Sequence, residues 1–92
     1  MLRGKRRTAL LVARGYIESV QEKYICYALD RAARQYPELR EAVVSLTYDI
    51  LSALGGPATL EGWQLKNMGF AAIHLNRLNR LAWINWMLEN WE

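Results

Sequence analysis

The widest hydrophobic pattern of the chain lies in its C-terminal stretch, residues 70–91. At the roughly 100° per residue of an α-helix, its apolar residues cover more than half of the helix circumference. These residues are Phe70, Ala71, Ile73, Leu75, Leu78, Leu81, Ala82, Ile84, Trp86, Leu88 and Trp91. So wide a stripe favours a helix around which several others pack, so we expect this helix to be central to the fold.

Trp83 and Met87, one helical turn apart, fall on the polar side of that predicted helix. The polar residues around them are Asn76, Asn79, Arg80 and Asn90. Exposed apolar patches on small proteins are commonly used for binding. Three explanations are open: the N-terminal segment 9–17 covers the pair, two copies of the chain meet through it, or it binds another protein.

Two further helices are indicated before residue 55. Ser19 and Glu22 match a capping box, in which two side chains satisfy backbone N–H groups at a helix start. We therefore expect a helix over residues 20–35, ended by Pro37, because the residue before a proline is disfavoured in helical conformation. Pro37 also suits the first turn of the next helix. The apolar line of that helix is Leu39, Val43, Leu46, Ile50 and Leu54.

Gly55 and Gly56 end the third pattern, since glycine readily takes the left-handed conformation found after helices. Thr59 then suits the N-cap of a short helix over residues 60–67. The sequence therefore predicts an all-α fold, a small bundle of three main helices plus one short helix, with residues 8–92 as a single helical domain.

The basic character of the chain belongs to its first seven residues. The formal charge is +3, from 12 basic and nine acidic residues. Without four of the cations, eight basic residues remain against the nine acidic ones, so the rest of the chain is close to neutral. These four are Arg3, Lys5, Arg6 and Arg7. We expect residues 1–7 to form a flexible basic tail. The following segment, residues 8–17, suits either a helix or an extended strand of chain, and Gly15 interrupts both readings.

Composition narrows the class of protein. With 92 residues and 52% hydrophobic content, the chain favours a folded domain over disorder and has more apolar surface than a small bundle hides. No apolar run approaches the roughly 18 residues of a membrane span. The apolar run after the basic start is too short for a signal peptide. Cys26 is the only cysteine, so an internal disulfide is impossible, and we expect a cytoplasmic protein.

Enzyme chemistry finds little support in the sequence. One histidine and one cysteine cannot form an ordinary zinc site, and the glycines do not form a phosphate-binding loop. His74 lies on the apolar side of the C-terminal helix and is expected to be a core or boundary residue. Cys26 stands among apolar positions and is expected to behave as a small buried hydrophobe. We therefore expect no enzyme activity, no cofactor and no metal.

The outer side of the helix predicted over residues 20–35 carries Tyr24, Tyr27, Arg31 and Arg34, spaced three and four residues apart. Tyrosine and arginine are enriched at protein interfaces, since each combines a large contact area with a polar end. We predict that these four residues, with Trp83 and Met87, bind a protein partner, either a host protein or a second copy. The alternative for the four is a solvated helix face.

Nucleic-acid binding is the alternative function. The stretch 51–67 resembles a helix-turn-helix, but at six and nine places after Gly55, where that motif needs apolar residues, it holds Glu61 and Gln64. DNA or RNA binding would instead use the short helix over residues 59–68 and the basic tail. The residues concerned are Arg3, Lys5, Arg6, Arg7 and Lys66.

Three blocks carry a resemblance: KYICYALDRAA (23–33), LGGPATLEGW (54–63) and RLAWINWMLENW (80–91). Together they resemble a group of small uncharacterised accessory proteins of tailed bacteriophages and prophages. The resemblance implies a phage accessory gene expressed in a bacterial cytoplasm. It carries over no catalytic or binding residues. Small phage proteins without enzyme signatures commonly occlude a host protein, including defence complexes such as CRISPR effectors. The resemblance therefore also implies an inhibitor of a host protein.

Overall fold

The computed structural model describes residues 1–53 and 77–92 and shows an all-α fold, as predicted. Within these two ranges there are four α-helices, one 3₁₀ turn and no strand. The elements are α1 (Gly4–Glu18), α2 (Ile25–Gln35), the 3₁₀ turn (Pro37–Leu39), α3 (Arg40–Ala53) and α4 (Arg77–Asn90). Several predictions fall outside these ranges: the Gly55–Gly56 stop, the short helix of residues 60–67 with Lys66, the helix-turn-helix candidate after residue 53, and His74.

α1 resolves the ambiguity of residues 8–17 in favour of a helix. Its buried residues recur at helical spacing and are Ala9, Leu10, Ala13, Tyr16 and Ile17. α1 packs most extensively against α2 and also contacts α3 and α4, so it touches every other described α-helix. The central position predicted for the C-terminal helix stays a prediction, because residues 70–76 of that helix lie outside the described ranges.

Residues 1–7 are held against the rest of the protein and do not form the predicted flexible tail. The side chain of Leu2 is fully buried, and its backbone N–H donates to the carbonyl of Leu88 at 2.9 Å. Gly4 already begins α1. Arg6 donates to the Ser45 hydroxyl and pairs with Asp49 at 2.8 Å, which joins α1 to α3. The sequence did not indicate this attachment, because Leu2 is a single apolar residue next to several charged ones.

The corner between α1 and α2 corrects the capping-box prediction. The Ser19 hydroxyl donates backwards to the Gly15 carbonyl at 2.8 Å, so Ser19 caps the end of α1, and α2 begins only at Ile25. The N–H of Val20 donates to the Ile17 carbonyl at 3.1 Å, and that of Gln21 to the Tyr16 carbonyl at 2.8 Å. These two bonds form the Schellman arrangement that ends many helices.

Val20 occupies the left-handed position of that arrangement, with φ at 61°. This position usually holds glycine, since a Cβ there costs roughly 1–2 kcal/mol. Valine is branched at Cβ, which makes the conformation a genuine outlier. The corner therefore carries backbone strain at one residue.

The path from α2 to α3 follows the prediction. α2 ends at Gln35, and Pro37 opens the 3₁₀ turn that leads into α3. Glu38 and Glu41 lie in the first turns of these elements, where negative charge favours the positive end of a helix dipole. Of the predicted apolar line of α3, the members within the described ranges whose burial is described are all buried: Leu39, Val43, Leu46 and Ile50.

The prediction that Trp83 and Met87 lie on a wet face is wrong. Trp83 is 3% exposed and Met87 is fully buried, and both belong to the same core cluster as the buried residues of α1. α1 packs along α4, where Arg14 donates to the Asn85 side chain at 2.9 Å. Among the three explanations, coverage by the N-terminal segment is the one that fits this packing, and the premise for binding a partner through the pair is lost.

Arg80, which was also expected on the wet side, is only 5% exposed. Removal from water lowers the pKa of its guanidinium below the ordinary value. The Trp83 ring packs edge-on against Trp86, with centroids 5.2 Å apart. Its buried indole N–H finds no hydrogen-bond acceptor among the residues that the structure describes. This end of the core therefore contains polar groups that were predicted to face solvent.

Truncating Trp83 tests its place in the core. We expect Trp83→Ala to lower the free energy of unfolding by about 3–5 kcal/mol, because it removes a large buried ring. Trp83→Phe should cost much less, since it keeps most of the packing and removes the unpaired N–H. Glu89→Ala, at an exposed position of α4, is the control and should stay within about 0.5 kcal/mol. Urea unfolding measures all three, and an unchanged midpoint for Trp83→Ala would place the ring outside the core.

Two glycines of α1 should respond oppositely to the same substitution. Gly15 is exposed and helical, and a Cβ built there meets nothing within 4 Å. Gly15→Ala should therefore stabilise the protein by about 1 kcal/mol, raising Tm by roughly 4–8 °C. Gly4 also has open space around it, but its φ is +64°. Gly4→Ala should lower Tm, because the strain at φ > 0 is unfavourable for alanine. Calorimetry on both variants checks the pair, and a fall in Tm for Gly15→Ala would contradict the prediction.

Candidate interaction surface

The sequence of α2 explains which side chains it leaves outside. Its buried residues recur every three or four positions and are Ile25, Ala28, Leu29, Ala32 and Ala33. The strip between them faces away from the core, and it includes Tyr27, which is 63% exposed, and Arg34, which is exposed. Small residues at the buried positions allow close approach to α1, so the outer side chains stand clear of the contact.

Tyr24 and Tyr27 form a preassembled aromatic pair. Their ring centroids are 5.5 Å apart and the rings are nearly perpendicular, at 88°. This edge-to-face arrangement is favourable because the positive edge of one ring meets the negative face of the other. Tyr24 is half-buried and packs against the core, whereas Tyr27 is largely exposed. The inner ring therefore helps to fix the position of the outer one.

Arg31 has a structural role that the sequence did not indicate. Its guanidinium lies over the Tyr16 ring, 5.1 Å from the centroid. It also donates to the Gln21 carbonyl at 3.3 Å and contacts the Glu22 carboxylate at 3.4 Å. These contacts join α2 to the end of α1 and to the corner between them, and both hydrogen bonds come from Nη1 of Arg31.

Arg34 differs from Arg31 in being available at the surface. It pairs with Asp30, one turn earlier on the same helix, at 3.2 Å, and both side chains are more than two-thirds exposed. Exposed pairs of this kind are worth little and exchange readily. The structure thus brings Tyr24, Tyr27 and Arg34 to one face of α2. We call these three residues the α2 surface.

Several exposed apolar side chains were not expected from the sequence. Leu78, expected on the apolar side of the C-terminal helix, is 67% exposed, and three others lie at the corner after α1 and on α3. Val20 is 68% exposed at the corner after α1, and Val44 and Tyr48 are exposed one turn apart on α3, with Tyr48 at 72%. The α3 pair lies on an open groove lined by Arg40, Glu41, Val44, Ser45, Tyr48 and Asp49. Helical spacing could have indicated the exposure of Val44 and Tyr48, because neither position belongs to the buried line of α3.

The four N-terminal cations are divided by the fold. Arg3 and Lys5 are exposed, whereas Arg6 is engaged with α3 and Arg7 donates to the Leu2 carbonyl at 3.3 Å. These cations lie at the N-terminus of α1, which is the positive end of the helix dipole, and the first turn of α1 contains no acidic residue to offset them. The basic region is therefore smaller and more ordered than the predicted tail, and its proposed companion Lys66 lies outside the described ranges.

Among the described residues, the other reactive groups do not indicate a catalytic or metal-binding site. Cys26 is half-buried, and desolvation raises the pKa of its thiol, which disfavours the reactive thiolate. No group of three or more potential metal ligands comes together among the described residues. Of the helices that the structure describes, none is both long enough and apolar enough to cross a membrane.

Comparison with protein-family models, curated proteins and solved structures found no significant match to this chain.

Proposed function

We propose that this protein is a small accessory factor that acts by binding another protein through the α2 surface. The observation that supports this most is the exposure of Tyr27 at a position held by the Tyr24 ring. A tyrosine with a restricted position loses little conformational entropy on binding and offers both apolar area and a hydroxyl. Arg34 adds a cation on the same face that can exchange Asp30 for a carboxylate of the partner.

The resemblance to phage accessory proteins supplies the biological part of the proposal. It suggests a phage gene product in a bacterial cytoplasm that occludes a host protein, such as a component of a defence complex or CRISPR effector. Trp83 and Met87 enter this proposal only as core residues that support the fold. A second copy of the chain is the other partner to consider, and light scattering on the purified protein distinguishes the two.

Affinity capture with matched tyrosine variants tests the α2 surface. The immobilised protein is exposed to bacterial lysate, and we expect Tyr27→Ala to weaken retention of its partner at least about tenfold, the effect of losing a binding hot spot. Arg34→Ala should weaken it less. Tyr48→Ala is the control, because that tyrosine is also largely exposed but lies on α3. All three should melt within a few degrees of the unmodified protein.

The opposite pattern, with capture lost in Tyr48→Ala and kept in Tyr27→Ala, would assign binding to α3 and contradict the proposal. Capture of nothing at all, with a monomer in light scattering, would remove its basis.

Nucleic-acid binding is the alternative proposal, and the exposed Arg3 and Lys5 beside the start of α1 are the observation in its favour. The double variant Arg3→Ala/Lys5→Ala tests it better than removal of residues 1–7, because that deletion would also remove the buried Leu2. If the protein binds duplex DNA through these cations, the double variant should bind DNA more weakly. The slope of its log affinity against log salt concentration should also be shallower by about two, one for each lost phosphate contact. We expect no retention on duplex DNA at moderate salt, and strong retention that the double variant abolishes would favour the alternative.

A further inference from the structure

Val20 is an unusual residue for the backbone conformation that it adopts. In the arrangement that ends α1, the residue with positive φ is ordinarily glycine, sometimes asparagine. Here it is a β-branched residue at φ 61°. Strain of this kind persists only where the surrounding structure enforces it, and it tends to occur at functional sites. The two backbone hydrogen bonds from Val20 and Gln21 back into α1 are what enforce it.

Burial among the described residues does not offset this strain. The Val20 side chain is 68% exposed, so most of its apolar area remains in water. Glycine at this position would keep both backbone hydrogen bonds and relieve the strain. The side chain therefore lowers the stability of the isolated protein, and no contact with the described residues explains why it is kept.

Val20 lies next to the α2 surface. Arg31 reaches from α2 to the carbonyl of Gln21, the neighbour of Val20, at 3.3 Å. Tyr27 lies one turn before Arg31 on the same side of α2. The corner and the α2 surface are thus adjoining parts of one face, with Arg31 between them.

We infer that Val20 is a contact residue of the α2 surface and inserts its side chain into an apolar part of the partner protein. This inference rests on the proposed function. Lys23, between Val20 and Tyr24 in the chain, is exposed and forms no ion pair with any described residue. The partner that fits is a protein with an apolar patch bordered by carboxylates.

The substitution Val20→Gly tests the inference because stability and binding should change in opposite directions. We expect its Tm to rise by several degrees, since the strain is relieved. Its retention of the protein that the unmodified chain captures from bacterial lysate should fall about tenfold. Val20→Ile keeps both the branched side chain and the strain, and it should retain the partner. Gly15→Ala, five residues earlier and within α1, should raise Tm without changing capture.

The outcomes separate the two proposals. If Val20→Gly captures the partner normally while Tyr27→Ala does not, the role of Val20 is refuted and the α2 surface stands. A Tm that does not rise in Val20→Gly also refutes the inference, because the strain argument then fails. If none of the variants at positions 20 and 27 alters capture, or nothing is captured, both proposals fall together.

Discussion

The packing of α1 across the other helices is the interaction on which the rest of the structure depends. Alanines at positions 9 and 13 of its buried side let neighbouring helices approach closely, and Leu10 and Ile17 fill the space between them. Its start is fixed by Leu2 against Leu88 and by Arg6 against Asp49. Its end is fixed by the Arg31 guanidinium over Tyr16 and by the hydrogen bond from the Tyr16 hydroxyl to Gln35. Because both ends are attached, α1 buries the side of α4 that the hydrophobic pattern had left to solvent.

The local parts of the fold were predictable from the sequence, and the parts decided by neighbouring helices were not. The end of α2, the role of Pro37 and the buried line of α3 follow from proline geometry and from the 3.6-residue period. The Ser19 prediction failed because a serine hydroxyl can satisfy groups at the start of one helix or at the end of another. Here the contacts of α1 place Ser19 at the end of that helix. Helical periodicity shows which residues share a side, but not how many sides of a helix are covered, and this is why Trp83 was misplaced.

The candidate surface was predicted only in part, because Trp83 and Met87, which were expected to belong to it, are core residues. Spacing placed Tyr24, Tyr27 and the two arginines on one face, and the structure keeps them there. Their division into supporting and exposed groups depends on contacts with distant residues. Arg31 reaches Tyr16, which is 15 positions away in the sequence, whereas Arg34 reaches only Asp30 on its own helix. Exposure of Val20 could not be read from periodicity, because it lies in the corner between two helices.

These contacts also bear on the energetics of binding. A surface on a flexible loop has to be ordered when a partner arrives, and this ordering reduces affinity. The α2 surface is part of a helix, and Arg31 fixes that helix to α1 and to the corner that carries Val20. The Tyr24 ring restricts Tyr27 in turn. The same contacts that stabilise the fold therefore reduce the entropy lost on association, so even a small contact area is expected to bind with useful affinity.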